Sequence, residues 1–508
     1  MPIQIIHNVA SWFLKKRIHQ MELFLKYPNE VQNELLFELL SKAKDTQYGR
    51  THDFKTIKTY KEFNERLPIV SYEDIFEDIE KSRRGESNLF WPTPIKMFAK
   101  SSGTTNAKSK FIPLSREALE DNHYASSKDL LCLYLKNNQN SKLFTGKGLR
   151  LGGSKEIYNS NGTSFGDLSA LLIDNMPLWA SFSSTPSDQV SLMGDWEKKL
   201  PAIINETLEQ NVTSLAGVPS WMLVLLNEIL DKTGKNNIKE IWTDLEVYFH
   251  GGVSFDPYIN QFEKLIPDQN FKYYEIYNAS EGFFAVQDQN NSKDLLLLLN
   301  YGIFFEFIPM DKYGNEDEKA ISLDEVEVGK NYALVITTNS GLWRYKIGDT
   351  IRFTSVKPHR IKVTGRTKHH INVFGEELII ENAEEALKKS AIEHGVEIVD
   401  YTAGPIFMEG KEKGAHEWII EFKKEPQSIE AFKTSLDNNL RAVNSDYDAK
   451  RTNNTTLNLL ELNIARRNLF YEWLKSNEKL GGQHKIPRLS NERTYIEELK
   501  QLQNQNLQ

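Results

Sequence analysis

Three short segments hold residues whose types and spacing suit chemistry on a phosphate ester. The first is Lys100-Ser101-Ser102-Gly103-Thr104-Thr105-Asn106-Ala107-Lys108-Ser109-Lys110, directly after the apolar run Ile95 to Ala99. Its hydroxyls and backbone N–H groups can donate to phosphate oxygens, Gly103 permits close backbone approach, and the lysines supply charge. It is not a Walker A loop, which needs G-x-x-x-x-G-K-S/T, because Lys108-Ser109 follows Gly103 without the second glycine. In the second segment, Tyr273 to Gly282, a strand-like run ends in a small polar turn carrying one carboxylate, Glu281, which could hold Mg2+ against nucleotide phosphates. In the third, Thr337 to Asp349, an acid follows a glycine at a strand end, and Asp349 there can accept two ribose hydroxyls. Each segment also has a plainer reading: a polar surface loop, a helix cap at Glu281, and an ordinary Gly-Asp turn.

Other patterns fail on inspection. Gly146-Lys147-Gly148-Leu149-Arg150-Leu151-Gly152 misses G-x-G-x-x-G because its last glycine comes one position late. Asn278 stands where G-x-S-x-G around Ser280 needs its first glycine. His416-Glu417 has Ile420 in place of the second histidine of H-E-x-x-H. His369 and His370 are adjacent, and neighbouring side chains on a strand point apart, which argues against a shared metal.

The elements that must position these segments show in the periodicity. From Met21 to Ala43 the apolar residues recur at three- and four-residue steps, the period of an amphipathic helix. From Ile95 to Asp349, strand-like runs (Val212 to Ala216, Leu245 to Phe249, Phe271 to Ile276) alternate with helix-like ones (Arg116 to Leu135, Pro219 to Leu230, Phe255 to Leu265). Such alternation suggests a layered α/β body. Leu295 to Leu299 and Ile303 to Ile308 flank Asn300-Tyr301-Gly302 and read as a hairpin, and Tyr332 to Thr337 and Trp343 to Ile347 read as a strand pair around Ser340-Gly341. Beyond Gly365 a helix around Glu381 to His394 and strands near Val396 to Tyr401 and Trp418 to Phe422 change the texture, which places a domain boundary there.

Composition sets the outer limits. The 508 residues are 40% hydrophobic and 26% charged, an ordinary globular balance rather than a disordered one. The net charge of -8 gives no bulk reason to expect a nucleic acid or an anionic membrane as partner. A single cysteine, Cys132, allows no internal disulfide or multi-thiolate metal site and fits a reducing compartment. The segment Met1 to Arg17 lacks a secretory signal pattern, and the most apolar window, Leu295 to Phe305, is far short of the roughly 20 residues of a membrane helix. The expectation is a cytoplasmic protein.

Taken in order, the three segments resemble the nucleotide-binding motifs of adenylate-forming enzymes and, more narrowly, of the GH3 family of acyl-acid amido synthetases. The resemblance rests on Ser101 to Thr104 with Lys110, Ile112 and Pro113; on Tyr277, Ser280 and Glu281; and on Thr337, Thr338, Gly341, Leu342, Arg344, Tyr345, Gly348 and Asp349. It extends from Leu67-Pro68-Ile69-Val70 to Lys485-Ile486-Pro487-Arg488. It implies an α/β fold, with a large layered N-terminal domain (1–365) containing β-sheets and a β-barrel-like part, and a small, mobile α+β lid (366–508). It further implies that Gly251, Gly252, Tyr277, Asn278 and Ser280 line the nucleotide and that Asp349 holds ribose. Ser101, Ser102, Gly103, Thr104, Thr105 and Lys110 would hold phosphates, and Glu281 would hold Mg2+. Arg366, Thr367 and Lys368 resemble the hinge, and Lys485 the lysine that reaches the phosphate, although as a lone residue it could be an exposed surface lysine. Plant members carry a further lysine some ten residues past the hinge; Gly375-Glu376-Glu377-Leu378 has none.

The activity implied is ATP- and Mg2+-dependent adenylation of a small carboxylic acid, then transfer of the acyl group to an amine, an amino acid, by a monomer. The acyl pocket would lie among Val218, Trp221, Met222, Ala279 and Phe283, whose apolar character suits a hydrophobic acid and equally suits core packing. An acid-thiol ligase with coenzyme A as acceptor, and a silent nucleotide-binding relative, remain as alternatives.

Overall fold

The computed structural model describes residues 17–101, 110–152, 158–160, 162–253, 255, 258–367, 370–410, 412–452, 456–477 and 486–505. The strands in chain order are β1 (Met97–Ser101), β2 (Lys110–Leu114), β3 (Lys147–Arg150), β4 (Tyr158–Ser160), β5 (Thr163–Asp167), β6 (Ser184–Thr185), β7 (Val212–Gly217), β8 (Val247–Gly251), β9 (Lys272–Ala279), β10 (Gly282–Gln287), β11 (Leu295–Leu297), β12 (Ile303–Pro309), β13 (Asn331–Thr338), β14 (Tyr345–Val356) and β15 (His359–Arg366). The C-terminal part adds β16 (His370–Ile371), β17 (Leu378–Ile379), β18 (Glu397–Ile406), β19 (Ala415–Lys424) and β20 (Glu461–Ala465).

An eleven-stranded sheet in the order β12-β13-β14-β15-β11-β10-β9-β8-β7-β3-β6 forms the spine. Its β6, β3, β7, β8 and β9 run parallel, and from β9 to β12 every pairing is antiparallel. The parallel strands therefore end at one edge, at Arg150, Gly217, Gly251 and Ala279. In open α/β sheets this carboxyl edge is where ligands bind. A second sheet, β2-β1-β5-β4, pairs β1 antiparallel with β2 and parallel with β5.

Two apolar clusters sandwich the parallel half of the spine. Val247, Phe249 and Tyr274 face a cluster with Leu130, Leu133 and Tyr134, whereas Tyr248 faces one with Met222, Leu226 and Phe262 from the helices Pro219–Thr233 and Ile259–Leu265. The alternation along β8 is the period-two pattern of a strand buried on both faces. The second cluster continues into the C-terminal part, where β18-β19-β20 packs with the helices Ile380–His394 and Ile429–Val443.

The alternating strands and helices read from the sequence are present, with four differences. The Met21–Ala43 helix is interrupted at Tyr27, because Pro28 opens a new helix, Pro28–Ala43. The Arg116–Leu135 stretch begins as a π-helix, Ala118–Tyr124, before the α-helix Ala125–Asn137. The helix expected from Phe255 starts only at Ile259.

The fourth difference is that the Leu295–Ile308 hairpin does not form. β11 lies between β10 and β15, while β12 pairs with β13. Two buried side chains take up the connecting backbone instead: Gln32 donates to the carbonyls of Leu299 (2.7 Å) and Ile303 (3.0 Å) and accepts from Phe305 N (2.8 Å), and Asn122 donates to Tyr301 O (2.9 Å). Satisfied in this way, the two strands separate without orphaned polar groups. The expected pair around Ser340-Gly341 does form, with Ile336 opposite Tyr345.

Candidate functional site

Glu281 sits in the two-residue turn joining β9 to β10, where Ala279 pairs with Gly282. It caps no helix, so that plainer reading fails. The turn forms because Ser280-Glu281 falls between two β-rich runs, and Phe283 is pinned on its far side by Asn122, which accepts from Phe283 N (2.7 Å) and donates to Phe283 O (3.1 Å). Burial pushes the Glu281 carboxyl up to about 7, against the pull of the Lys110 ammonium. Lys110 opens β2 directly opposite Ser101 of β1. The Ser102–Ser109 segment, with Ser102, Gly103, Thr104 and Thr105, lies outside the described residues, but Lys110, which closes it, stands within electrostatic reach of Glu281.

Asp349 lies on β14 opposite Arg366 of β15 and is 7% exposed. Arg366 Nε donates to Asp349 Oδ1 at 2.9 Å, and Tyr277 Oη donates to Oδ2 at 2.7 Å. Burial opposes the charge on Arg366, but Glu377 and Asp349 outweigh it and raise its pKa. Glu377, which lies in the stretch that lacks the plant lysine, places Oε1 3.6 Å from Arg366 Nη2. Tyr277, Glu281, Asp349 and Arg366 thus form one electrostatic cluster drawn from β9, the β9–β10 turn, β14 and β15. Tyr345 stands within electrostatic reach of Glu281, and its buried hydroxyl has no hydrogen-bond partner among the described residues.

Gly251 ends β8 where a Cβ would meet Ile276 O of β9 at 2.5 Å, so only glycine lets the two backbones lie this close; Gly252 has φ +84°. Asn372, beyond the hinge, donates to Gly252 O at 3.4 Å, which brings the C-terminal part to the same edge. Asn278 pairs with Phe283 across the hairpin, and Ser280 is half-buried in its turn.

The residues expected to line an acyl pocket are divided. Ala279 and Phe283 belong to the first apolar cluster, Val218 and the fully buried Met222 to the second. The Trp221 ring lies 5.1 Å beneath the Lys450 ammonium of the C-terminal part. Lys368 and Lys485 lie outside the described residues.

Sequence reasoning passed over several residues that shape this region. Arg344, quoted only as a motif letter, is 2% exposed, has φ +47°, and ties Glu306 (2.8 Å) to the carbonyls of Asn64 (2.8 Å) and Leu67 (2.6 Å), a structural clamp. Asn122, Tyr124 and Arg150 were also passed over; the available signal was a polar residue inside an apolar period and an arginine at a strand end.

A metal and a nucleotide fit this geometry in one manner. Among the described residues no group of three or more His, Cys, Asp or Glu side chains could hold a metal ion. Mg2+ is commonly held by one or two carboxylates plus substrate phosphates, and Glu281, with Lys110 within electrostatic reach, offers one such carboxylate. Among the described residues no helix is long and apolar enough to cross a membrane.

The architecture is shared with solved structures of adenylate-forming fold. A GH3.15 acyl acid amido synthetase superposes with a TM-score of 0.62 at 20% identity over 96% of this chain and 95% of its own. A 2-hydroxyisobutyryl-CoA ligase, in complex with 2-HIB-AMP and CoA, superposes with a TM-score of 0.57 at 12% identity over 93% and 92%. A large mixed sheet with a smaller C-terminal sheet domain and a polar cluster at the strand ends defines that class.

Family models match almost end to end: the GH3 family N-terminal domain over residues 17–271, its central domain over 296–366 and its C-terminal domain over 381–494. The chain belongs to the GH3 family. Its relatives include the indole-3-acetic acid-amido synthetase GH3.4 of Arabidopsis thaliana, 23% identical over 93% of this chain and 91% of that one. The jasmonoyl-L-amino acid synthetase JAR6 of Nicotiana attenuata is 23% identical over 93% of each.

Proposed function

We propose that this protein is an ATP-dependent acyl-acid amido synthetase that adenylates a carboxylic acid and passes the acyl group to an amino acid, releasing AMP. The observation that carries the reading is the single cluster of Tyr277, Glu281, Asp349 and Arg366 at the carboxyl edge of the parallel strands, with Lys110, which closes the Ser/Thr/Gly/Lys segment, within electrostatic reach.

A carboxylate is a poor acylating agent because its leaving group would be oxide. Attack of its oxygen on the α-phosphorus of ATP expels pyrophosphate and leaves an acyl-adenylate, whose leaving group is AMP. Asp349, held by Tyr277 and Arg366 through one bond on each oxygen, accepts the ribose hydroxyls with the second lone pair of each. Arg366 faces the phosphates, and Lys110 opposes the charge that develops on them. Glu281 would hold Mg2+, which would supply neutralisation of phosphate charge. Gly251 and Gly252 leave room for the base against the backbone, and the other motif positions, Ser101 to Thr105, Asn278, Ser280, Lys368 and Lys485, are assigned to the nucleotide by the family motif. The amine then attacks the acyl carbonyl after residues 366–508 turn about the hinge, giving the amide and AMP.

Ala279 and Phe283 stand nearest the reacting end and receive the stem of the acid, with Val218, Trp221 and Met222 across the sheet toward the C-terminal part. The one cysteine, Cys132, is buried and free, which suits a reducing cytoplasm, and the chain would act as a monomer.

Pyrophosphate release over a panel of carboxylic acids, with amino acids or coenzyme A as acceptors, tests the reading. ATP-dependent pyrophosphate and an amide product are expected, and Glu281→Gln should lower the adenylation rate at least about tenfold and raise the magnesium requirement. A thioester in place of the amide would make the protein an acid-thiol ligase, and no turnover with any acid from a folded sample would exclude both.

A further inference from the structure

A buried cation in the same cleft has no part in the chemistry above. Arg150 is the last residue of β3, at the strand-end edge it shares with Gly217, Gly251 and Ala279, and its side chain is 12% exposed. One terminal nitrogen pairs with Asp188, whose other oxygen accepts from Ser181 Oγ at 2.7 Å. The other lies against the thioether of Met176, a weak acceptor, and Nε is out of contact with solvent and has no hydrogen-bond partner among the described residues. Burial lowers the pKa of this guanidinium even with Asp188 beside it. A desolvated guanidinium with one acidic partner still has N–H groups unfilled among the described residues. Nearby, the buried Lys199 donates to Gly152 O at 3.0 Å, adding positive charge close to Asp167.

Tyr124 links this cation to the turn that carries Glu281. Tyr124 lies close enough to Arg150 that each shifts the other's ionisation, and its hydroxyl donates to Leu172 O at 2.7 Å, leaving its oxygen able to accept. Tyr124 closes the π-helix whose Asn122 grips Phe283. One turn of chain therefore walls the space from the start of β10, beside Glu281, to the end of β3. Local π-geometry of this kind is frequent at functional sites.

Resting on the amido synthetase reading, we infer that Arg150 is a specificity-determining anchor for an anionic oxygen group, a second carboxylate or its equivalent, at the far end of the acyl acid. Three strand spacings separate β9 from β3, so on the order of 14 Å lies between the phosphate side of the cleft and this cation. The carboxylate of an acceptor amino acid sits two bonds from its reacting nitrogen and stays near the carbonyl under attack. A distal group on the acid can span the distance, with Ala279 and Phe283 against its apolar stem.

The test uses the full-length protein and pairs of acids with equal stems, one ending in a carboxylate and the other in a methyl group. Pyrophosphate release should favour the carboxylate-ended acid at least tenfold in kcat/KM, and Arg150→Gln should raise KM for that acid 10- to 100-fold more than for its methyl-ended partner. Equal turnover of the two acids, or a preference for the methyl end, by the unaltered protein overturns the inference whether or not the variant folds. An effect of Arg150→Gln confined to KM for the amino acid also overturns it, by assigning the anion to the acceptor. Calorimetric binding of the same acids separates this inference from the reading it rests on. Arg150-dependent binding without any pyrophosphate keeps the anchor and removes the synthetase, whereas turnover without the preference does the reverse.

Discussion

Asp349 shows how one side chain comes to hold two roles. Its carboxylate is held by Tyr277 at 2.7 Å and Arg366 at 2.9 Å, so the acceptor expected for ribose is already oriented, and it fastens the hinge arginine to the strand before it. Asp349→Ala should weaken ATP binding by about 2–3 kcal/mol, through loss of hydrogen bonds to a charged acceptor. Titration calorimetry would show this, and an unchanged Kd would remove the ribose role. His123 supplies a pH effect. It is 1% exposed, neither ring nitrogen has a hydrogen-bond partner among the described residues, and burial lowers its pKa to about 4 from 6.5. The unfolded chain then binds the proton more readily than the folded one, so the contribution is complete above pH 6.5 and is lost as pH falls toward 4. Urea unfolding at pH 7 and pH 4.5 should differ by about 2–3 kcal/mol from this group, and His123→Leu should remove that part of the difference.

At the scale of elements, the chain's connections decide what the strands can do. Gln32, on the N-terminal helix, replaces the cross-strand bonds that a hairpin at Asn300-Tyr301-Gly302 would have made, and so allows β11 and β12 to occupy distant places in one sheet. Gln32→Leu should cost about 2–4 kcal/mol, because it strands buried carbonyls and an N–H without partners. A chemical-denaturation series would measure it, and a loss below about 0.5 kcal/mol would mean that the connection is held by other means. The glycines at the ends of β7 and β8 let chains approach closely: a Cβ on Gly217 would meet Leu151 O at 3.1 Å, and one on Gly251 would meet Ile276 O at 2.5 Å.

For the molecule as a whole, the second apolar cluster is the decisive feature. It joins Tyr248, Tyr258 and Phe262 to Phe374, Met408 and Trp418, and Tyr258 Oη donates to Val373 O at 2.7 Å. Gln261 adds bonds to Met408 O at 2.5 Å and from Gly410 N at 3.1 Å. A chain cut after residue 366 would expose this face, and burial at about 25 cal/mol per Å2 makes such exposure costly. The intact protein should therefore melt in one cooperative calorimetric transition and the truncated chain should aggregate. Two well-separated transitions, with a soluble 1–366 fragment, would show that the two parts fold independently.

The sequence alone determined the alternation of strands and helices and the acid Glu281 at the end of β9, whereas Asp349, expected at a strand end, lies inside β14. The alternation and the Glu281 turn are written in local periodicity and in residue types within a few positions of one another. The family resemblance was legible for the same reason, since its motifs are short and ordered along the chain. Only the tertiary structure decided which distant side chains meet. Arg366 and Tyr277 converge on one carboxylate because β14 is flanked by β15 while β9 ends at the same edge. Arg344 is a buried clamp because Glu306 lies across the sheet. Arg150 is an under-paired cation because Asp188 meets only one of its terminal nitrogens and the Met176 thioether lies against the other. Such facts depend on long-range packing and on desolvation, neither of which any local pattern of residues encodes.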